Sequence, residues 1–205
     1  MKTKTVALSE KNFSATVEAA CKVFRKGGLV VYPTETCYGL GCAATDEKAI
    51  AKVFAAKRRG PEKALSIIVS GIPMAKNFAV LDGCSVRLAK KFFPGPLTLV
   101  AEKTPAVPDV LSKDGIAFRV SSNRFARSVV ERLGQPIVSS SANFEGGPEI
   151  YSGWLAAKKF SGIADLAVDA GVLERNLPST IFDCRKKKVL RPGAISGARI
   201  FSALS

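Results

Sequence analysis

Apolar residues recur along this chain in two alternating patterns, one typical of helices and one typical of buried strands. The segment 13–26 is apolar at helical spacing, and the run at 29–32 that follows it is apolar and partly β-branched. Strands are predicted at 29–32, 65–70, 97–101, 116–121, 136–139, 166–168, 180–184 and 189–191. Helices are predicted at 13–26, 74–80, 85–93, 124–133 and 154–160, with one more between a cap at Thr45 or Asp46 and the cations 57–59. Because no repeat or linker interrupts the alternation, residues 1–205 are predicted to form a single α/β domain with a mixed sheet.

Length and hydropathy fit one sizeable domain. The 205 residues are 47% apolar with a mean hydropathy of +0.15, which allows an ample core and excludes wholesale disorder. No apolar run reaches the roughly 20 residues that a membrane span needs. The first residues have no apolar run and no cleavage site of the kind found in signal peptides. We therefore expect a cytoplasmic protein without a membrane partner.

The charge balance indicates anionic partners. With 31 basic and 17 acidic residues the formal net charge is +14, and the pI is near 9.8. Such a chain attracts nucleic acid, nucleotides and acidic membranes alike, because net charge defines a field and not a site. Charge alone does not choose among these partners.

The missing residue types limit the chemistry. The chain has no histidine, which excludes Ser-His-Asp triads, H-E-x-x-H zinc sites and any imidazole base. Its five cysteines include no C-x-x-C pair, so we expect reduced thiols and no structural metal. Any chemistry must therefore use hydroxyls, carboxylates, lysine, arginine, a bound metal and the substrates themselves.

Polar residues gather where the predicted strands end. They are Thr34, Glu35, Thr36 and Tyr38, then Arg119, then Ser139, Ser140, Ser141 and Asn143, then Ser179 and Thr180, and finally Arg191. Each cluster alone is ordinary turn chemistry. Together they predict a polar pocket suited to phosphate and carboxylate. The chain contains no G-x-x-x-x-G-K-[ST] sequence, which argues against a P-loop enzyme.

A basic cluster, Lys57 to Arg59, ends the helix that follows the first polar loop. Cations at this position complement the negative end of the helix dipole. They would equally serve an anionic substrate. The cluster by itself leaves both interpretations open.

Seven strings, in order, resemble the YrdC family of L-threonylcarbamoyladenylate synthases. They are PTETCYGLG, the KRR of Lys57 to Arg59, FFPGPLTLV, FRV around Arg119, SSSAN, PST and LRPGA. The likeness extends from about Gly27 to Gly193. It implies a twisted open mixed sheet with flanking helices and a positively charged cavity, in the short form of the family that has one domain.

The resemblance also implies an activity. Members of the family are nucleotidyltransferases that form threonylcarbamoyl-AMP and pyrophosphate from L-threonine, bicarbonate and ATP, with Mg²⁺ on the phosphates. A separate transferase complex uses this adenylate for the N6-threonylcarbamoyladenosine (t6A) modification at position 37 of tRNA. Partners implied for this chain are thus the three substrates, the t6A transferase complex and, through direct contact, tRNA.

The resemblance assigns roles to ten residues. Lys57 and Arg59 would act on the phosphates as the catalytic pair. The residues implied for ATP are Lys57, Arg59, Ser141, Asn143 and Arg191. Those implied for threonine are Thr34, Tyr38, Arg119, Ser139 and Ser179. The chain departs from the family at Gly60 and Ala64, where proline is usual, so we expect a more mobile loop there.

Two alternatives to this function remain, one that fits the charge of the chain and one that the resemblance itself implies. The first is binding of double-stranded RNA or tRNA without catalysis, which would spread affinity over many cations and give a steep salt dependence. The second is formation of carbamoyl-AMP without threonine, as in the related module of hydrogenase-maturation proteins. Dependence of pyrophosphate release on threonine separates the three hypotheses.

Overall fold

The computed structural model describes residues 2–60 and 62–205. The strands are β1 (Lys4–Ala7), β2 (Val30–Tyr32), β3 (Gly39–Gly41), β4 (Ser66–Ile68), β5 (Ala79–Val80), β6 (Leu97–Lys103), β7 (Ile116–Arg119), β8 (Ile137–Ser141), β9 (Leu166–Asp169), β10 (Thr180–Asp183) and β11 (Lys188–Arg191). The helices are α1 (Phe13–Arg25), α2 (Glu47–Lys57), α3 (Ile72–Ala75), α4 (Gly83–Phe92), α5 (Arg124–Leu133), α6 (Gly153–Lys159) and α7 (Gly197–Ser202).

These strands form one mixed, open sheet. The order is β1-β9-β2-β3-β8-β4-β7-β6-β10-β11, and β5 pairs with β6 beside this path. Four pairs are parallel, namely β1 with β9, β2 with β9, β4 with β7 and β6 with β10, while the others are antiparallel. The predicted α/β class with a mixed sheet and flanking helices is confirmed.

Two hydrophobic cores lie on opposite faces of the sheet. One contains Val30, Tyr32, Ile68 and Ile137 together with apolar residues of α1 and α5. The larger core contains residues one position away along the same strands, such as Val31 and Ile67, together with residues of α2, α4 and α6. This alternation follows from the two-residue period of side chains along a strand. Helices α1 and α5 cover part of one face of the sheet.

Local sequence explains both ends of α2. The Asp46 side chain accepts a hydrogen bond from the Ala49 backbone N–H at 3.0 Å, as an N-cap does. Arg58 ends the helix in the left-handed conformation, with φ of 54°. This conformation turns the chain so that Lys57 and Arg59 leave the helix end in different environments.

The structure differs from the sequence predictions in four segments. The polar loop after β2 returns as strand β3, and the segment 74–80, predicted as a helix, contains the end of α3 followed by strand β5. Strand β1 and helix α7 were not predicted. Each of the three strands concerned pairs with a strand that is distant in sequence, which a local pattern does not reveal.

Candidate functional site

A row of small side chains forms the floor of a cavity in the middle of the sheet. The pairing register places Gly39 opposite Ser141, and Ser66 opposite both Ser139 and Ala117. All five residues line the cavity. Two positions along β4 on the same face, the larger Ile68 packs in the core beneath α1 and α5. The cavity therefore opens where the large side chains and the two covering helices stop.

Arg119 lies in this cavity without a hydrogen-bond partner among the described residues. It is only 7% exposed, and its Nε lies 3.4 Å from Glu35 Oε1, an ion pair that lacks hydrogen-bond geometry. Within residues 2–60 and 62–205 its guanidinium donates no hydrogen bond, while Ser121 donates to the other oxygen of Glu35. A buried, undersatisfied guanidinium is costly to a fold. A guanidinium with free N–H groups is, however, suited to bind a planar anion such as a carboxylate.

The polar loop after β2 uses its hydroxyls internally. Thr34 Oγ1 donates to the Cys37 carbonyl at 2.6 Å and accepts from the backbone N–H groups of Thr36 and Cys37 at 3.2 and 3.3 Å. The Tyr38 hydroxyl donates to the Gly171 carbonyl and accepts from the Ala170 N–H, both at 2.9 Å. Burial raises the pKa of Tyr38 to about 12. Both residues line the cavity, but these hydrogen bonds hold its wall in shape.

The segments around Ser179 and Arg191 form the opposite wall. Arg191 donates to the Ser179 carbonyl at 2.7 Å and to its hydroxyl at 3.0 Å, and that hydroxyl also lies 2.9 Å from Thr98 Oγ1. Close approach of the two segments needs glycine, because a Cβ at Gly193 would lie 2.2 Å from the Pro178 carbonyl oxygen. The PST and RPG sequences are therefore two halves of one wall.

Lys57 and Arg59 do not play the same part. Lys57 is 3% exposed, and its Nζ donates to the backbone carbonyls of Ser141 and Asn143 and, at 3.2 Å, to Asn143 Oδ1. Burial, and then the nearby Arg59, lower the pKa of Lys57 to about 8. Arg59 instead lines the cavity and donates to the Ala64 carbonyl at 3.1 Å. Lys57 thus supports the Ser141–Asn143 turn from behind.

Most of the predicted site residues lie around one cavity. Those that line it are Thr34, Tyr38, Arg59, Arg119, Ser139, Ser141, Ser179 and Arg191. Lys57 and Asn143 do not line it, and they are bonded to each other immediately behind Ser141. Their roles toward ligands remain predictions.

The cavity residues that were not assigned to a ligand from the sequence include Cys37, Thr98 and Glu149. Cys37 and Thr98 lie inside two of the recognised strings, so their position was available from the sequence. Glu149 lies in an irregular segment between β8 and α6 that shows no periodic pattern. Nothing in the sequence distinguished it.

The cavity is electropositive. Among the described residues, its charged lining side chains are Arg59, Arg119 and Arg191 against a single carboxylate, Glu149. In the described part of the chain, no group of three or more His, Cys, Asp or Glu side chains could hold a metal ion. The described helices also include none of the length and apolar character needed to cross a membrane.

Known proteins match this sequence over most of its length. The Sua5/YciO/YrdC family model, described as "Telomere recombination", matches residues 22–193. A threonylcarbamoyl-AMP synthase of Pyrococcus abyssi is 35% identical over 87% of this chain and 54% of its own length. A putative threonylcarbamoyl-AMP synthase of Methanocaldococcus jannaschii is 31% identical over 94% of this chain and 92% of its own.

A solved structure extends the comparison to three dimensions. The P. abyssi Sua5 protein complexed with L-threonine superimposes with a TM-score of 0.91 at 32% identity, covering 100% of this chain and 61% of that one. This chain therefore spans somewhat more than half the length of the P. abyssi relatives. The match of the family model over most of the chain, together with these relatives, shows that this protein belongs to the Sua5/YciO/YrdC family.

Proposed function

We propose that this chain is an L-threonylcarbamoyladenylate synthase, a nucleotidyltransferase that forms threonylcarbamoyl-AMP and pyrophosphate from L-threonine, bicarbonate and ATP. The observation that carries the proposal is the buried guanidinium of Arg119, which lies in the cavity without a hydrogen-bond partner in the described chain. The names of the two relatives and the threonine complex of P. abyssi Sua5 support it.

Threonine would occupy the side of the cavity at Arg119. The planar guanidinium suits a bidentate contact with the substrate carboxylate. Ser139 and Ser179 line the cavity as hydroxyl partners, while the Thr34–Tyr38 loop gives a fixed wall. A site whose own polar groups are already bonded keeps its shape before the ligand arrives, which favours binding.

ATP would occupy the side at Arg59, Ser141 and Arg191. These residues bring two guanidinium groups and a hydroxyl to the phosphates. Lys57 and Asn143 contribute by holding the Ser141–Asn143 turn, and the Lys57 charge adds to the field felt by the phosphates. Mg²⁺ would arrive on the phosphates, since the described residues offer no cage for it and Mg²⁺ commonly keeps several waters.

The reaction then needs no protein nucleophile. Threonine binds with its amino group protonated. After this ammonium loses a proton to solvent, the neutral amine forms a bond to the carbon of bicarbonate, and loss of water gives a carbamate. A carbamate oxygen attacks the α-phosphorus of ATP, the bond from that phosphorus to the bridging oxygen breaks, and pyrophosphate leaves with the electron pair. The arginines stabilise charge on the phosphate oxygens, so catalysis rests on positioning and electrostatics. A chain without histidine supplies all of this.

The product would serve as donor for the t6A modification of tRNA by a separate transferase complex. The net charge of +14 is compatible with contact to tRNA at that stage. In the test, purified protein releases pyrophosphate from ATP only when L-threonine and bicarbonate are both present. Equal release without threonine would instead favour carbamoyl-AMP formation, and no release with tight, salt-sensitive binding of RNA would favour the binding protein.

A further inference from the structure

Glu149 supplies the only carboxylate among the described residues that line the cavity. It is half-buried, and the Tyr151 hydroxyl donates to its Oε2 at 2.8 Å. This hydrogen bond to the carboxylate raises the pKa of Tyr151 to about 12, so the hydroxyl remains the donor. One oxygen of Glu149 is thus held by the protein.

The other oxygen has no protein partner in the described structure. Glu149 Oε1 accepts no hydrogen bond there, and no lysine or arginine nitrogen lies within 4.0 Å of the carboxylate. This is unexpected for an anion in a cavity lined by three arginines in a chain of net charge +14. Arg191, for example, is directed instead to Ser179. The carboxylate is therefore free to contact a cationic ligand.

The chemistry of the surroundings favours an ammonium group over a metal ion. A divalent cation usually requires several oxygen ligands from protein or substrate, and the described residues place no second carboxylate beside Glu149 in a metal-binding group. An ammonium group needs one charge-assisted contact and a few hydroxyl or carbonyl acceptors. The same cavity provides Ser and Thr hydroxyls for this purpose.

The position of Glu149 also matches the polarity of an amino acid. Glu149 lies near the loop 34–38. Burial raises the pKa of the Cys37 thiol in that loop to about 11, and the negative charge of Glu149 adds to this increase. Arg119 lies in the same cavity, and its guanidinium donates no hydrogen bond to the described residues, although its Nε lies 3.4 Å from Glu35 Oε1. A zwitterion needs a cation on one side of its α-carbon and an anion on the other, and these two side chains supply one of each.

We propose that Glu149 binds the α-ammonium group of the amino-acid substrate, while Arg119 binds its carboxylate. This inference rests on the proposed synthase function and adds a specificity residue to it. Glu149 distinguishes an α-amino acid from an otherwise identical α-hydroxy acid, because the hydroxy acid leaves the carboxylate without a cation. Tyr151 acts as a positioning residue that orients the carboxylate.

The test compares Glu149→Gln with the wild type in the pyrophosphate-release assay. Charge-assisted hydrogen bonds are roughly twice as strong as neutral ones, so KM for L-threonine should rise about 10-fold or more, while KM for ATP and the Mg²⁺ requirement stay unchanged. The second probe is (2S,3R)-2,3-dihydroxybutanoate, which carries a hydroxyl where threonine carries its amine. For the wild type, the inhibition constant of this hydroxy acid should be much higher than the KM for threonine. For Glu149→Gln, the two constants should be nearly equal.

Two further variants keep the test decisive. Glu131→Gln removes the same charge from the exposed surface of α5 and should leave both KM values unchanged. Should Glu149→Gln fail to fold, Tyr151→Phe offers a milder change that should raise KM for threonine about 2- to 5-fold in the same direction, as expected for loss of one hydrogen bond.

The outcomes separate the inference from the function on which it rests. If the wild type needs threonine but Glu149→Gln retains its KM for threonine and its discrimination against the hydroxy acid, the inference is wrong and the synthase function stands. A change confined to the Mg²⁺ requirement would make Glu149 a metal ligand and also overturn it. If the wild type shows no threonine dependence, the function fails and the inference falls with it.

Discussion

Arg119→Met separates a binding role from a structural one, because a binding role predicts a small change in stability and a structural role predicts a large loss. The substitution keeps most of the side-chain volume but removes a guanidinium that is 7% exposed and donates no hydrogen bond within the described chain. If the group serves the substrate carboxylate, its loss removes two charge-assisted hydrogen bonds from the complex. With each worth about 1.5–3 kcal/mol, KM for threonine should rise at least about 100-fold.

The effect on the folded protein should be small. Removal of the buried cation relieves the cost of an unsatisfied Nε, but it leaves Glu35 without the ion pair at 3.4 Å. Glu35 retains the hydrogen bond from Ser121. Since breaking a well-formed buried pair costs about 3–5 kcal/mol and this pair lacks hydrogen-bond geometry, we expect the two effects to cancel to within about 2 kcal/mol of unfolding free energy.

The assay measures pyrophosphate release at varied threonine, alongside urea unfolding. Arg124→Met is the matched control, since Arg124 is exposed at the start of α5 and pairs with Glu10 on the surface. It should keep KM for threonine and change stability by less than about 1 kcal/mol. A large loss of stability in Arg119→Met with an unchanged KM would refute the reasoning and make Arg119 a structural residue.

Four other predictions concern Lys57, Arg59 and Gly193. Because the pKa of Lys57 lies at about 8, kcat/KM for ATP should fall as pH rises through 8, and in Lys57→Arg this limb should move to higher pH. The same lowered pKa makes the stability of the protein depend on pH. The contribution of Lys57 to the unfolding free energy is full above about pH 10.4, where its amine is neutral in both the folded and the unfolded protein, and it is lost as pH falls to about 8. The unfolding free energy of the wild type should therefore rise between these pH values relative to that of Lys57→Met. Arg59→Ala should lower kcat/KM for ATP about 10-fold or more and leave the thermal midpoint unchanged, because Arg59 lines the cavity and is not part of a hydrophobic core. A wild-type kcat/KM would indicate that Arg59 only complements the dipole of α2. Gly193→Ala should cost about 1–3 kcal/mol of stability and lower activity, because its Cβ would meet the Pro178 carbonyl at 2.2 Å; wild-type unfolding by urea would contradict this.

Polar residues at predicted strand ends lie around the cavity. Ser139 and Ser141, Arg119, and Ser179 come from three different strands or their edges, and the structure places all of them around one cavity. Pairing of β4 with both β7 and β8 brings Arg119 near the two serines of β8, and pairing of β6 with both β7 and β10 adds Ser179. A list of strand-end polar residues was therefore a good guide to the cavity.

The orientation of Lys57 was harder to predict, although the sequence contains a signal for it. Lys57 follows Ile50, Val53 and Phe54 at the spacing of one helical face, and all three are buried. That periodicity places Lys57 on the inner face of α2. Treating Lys57 and Arg59 as one cluster hid this difference.

Strand β3 and Glu149 were beyond local reasoning for different reasons. The sequence Gly39–Gly41 has little intrinsic preference for a strand, and pairing with β2 and β8 on both sides fixes its conformation. Glu149 lies in an irregular segment, and only the folded structure shows that it is the single carboxylate among the described residues that line the cavity, together with three arginines. Both depend on contacts between residues far apart in sequence.

The most direct test of the account is pyrophosphate release from ATP by the purified protein, with threonine and bicarbonate each supplied or omitted. Formation of the adenylate in one cavity predicts release only when both are present, together with a product that contains threonine and AMP. Equal release in the absence of threonine, or no release at all with both substrates and Mg²⁺ supplied, would contradict it.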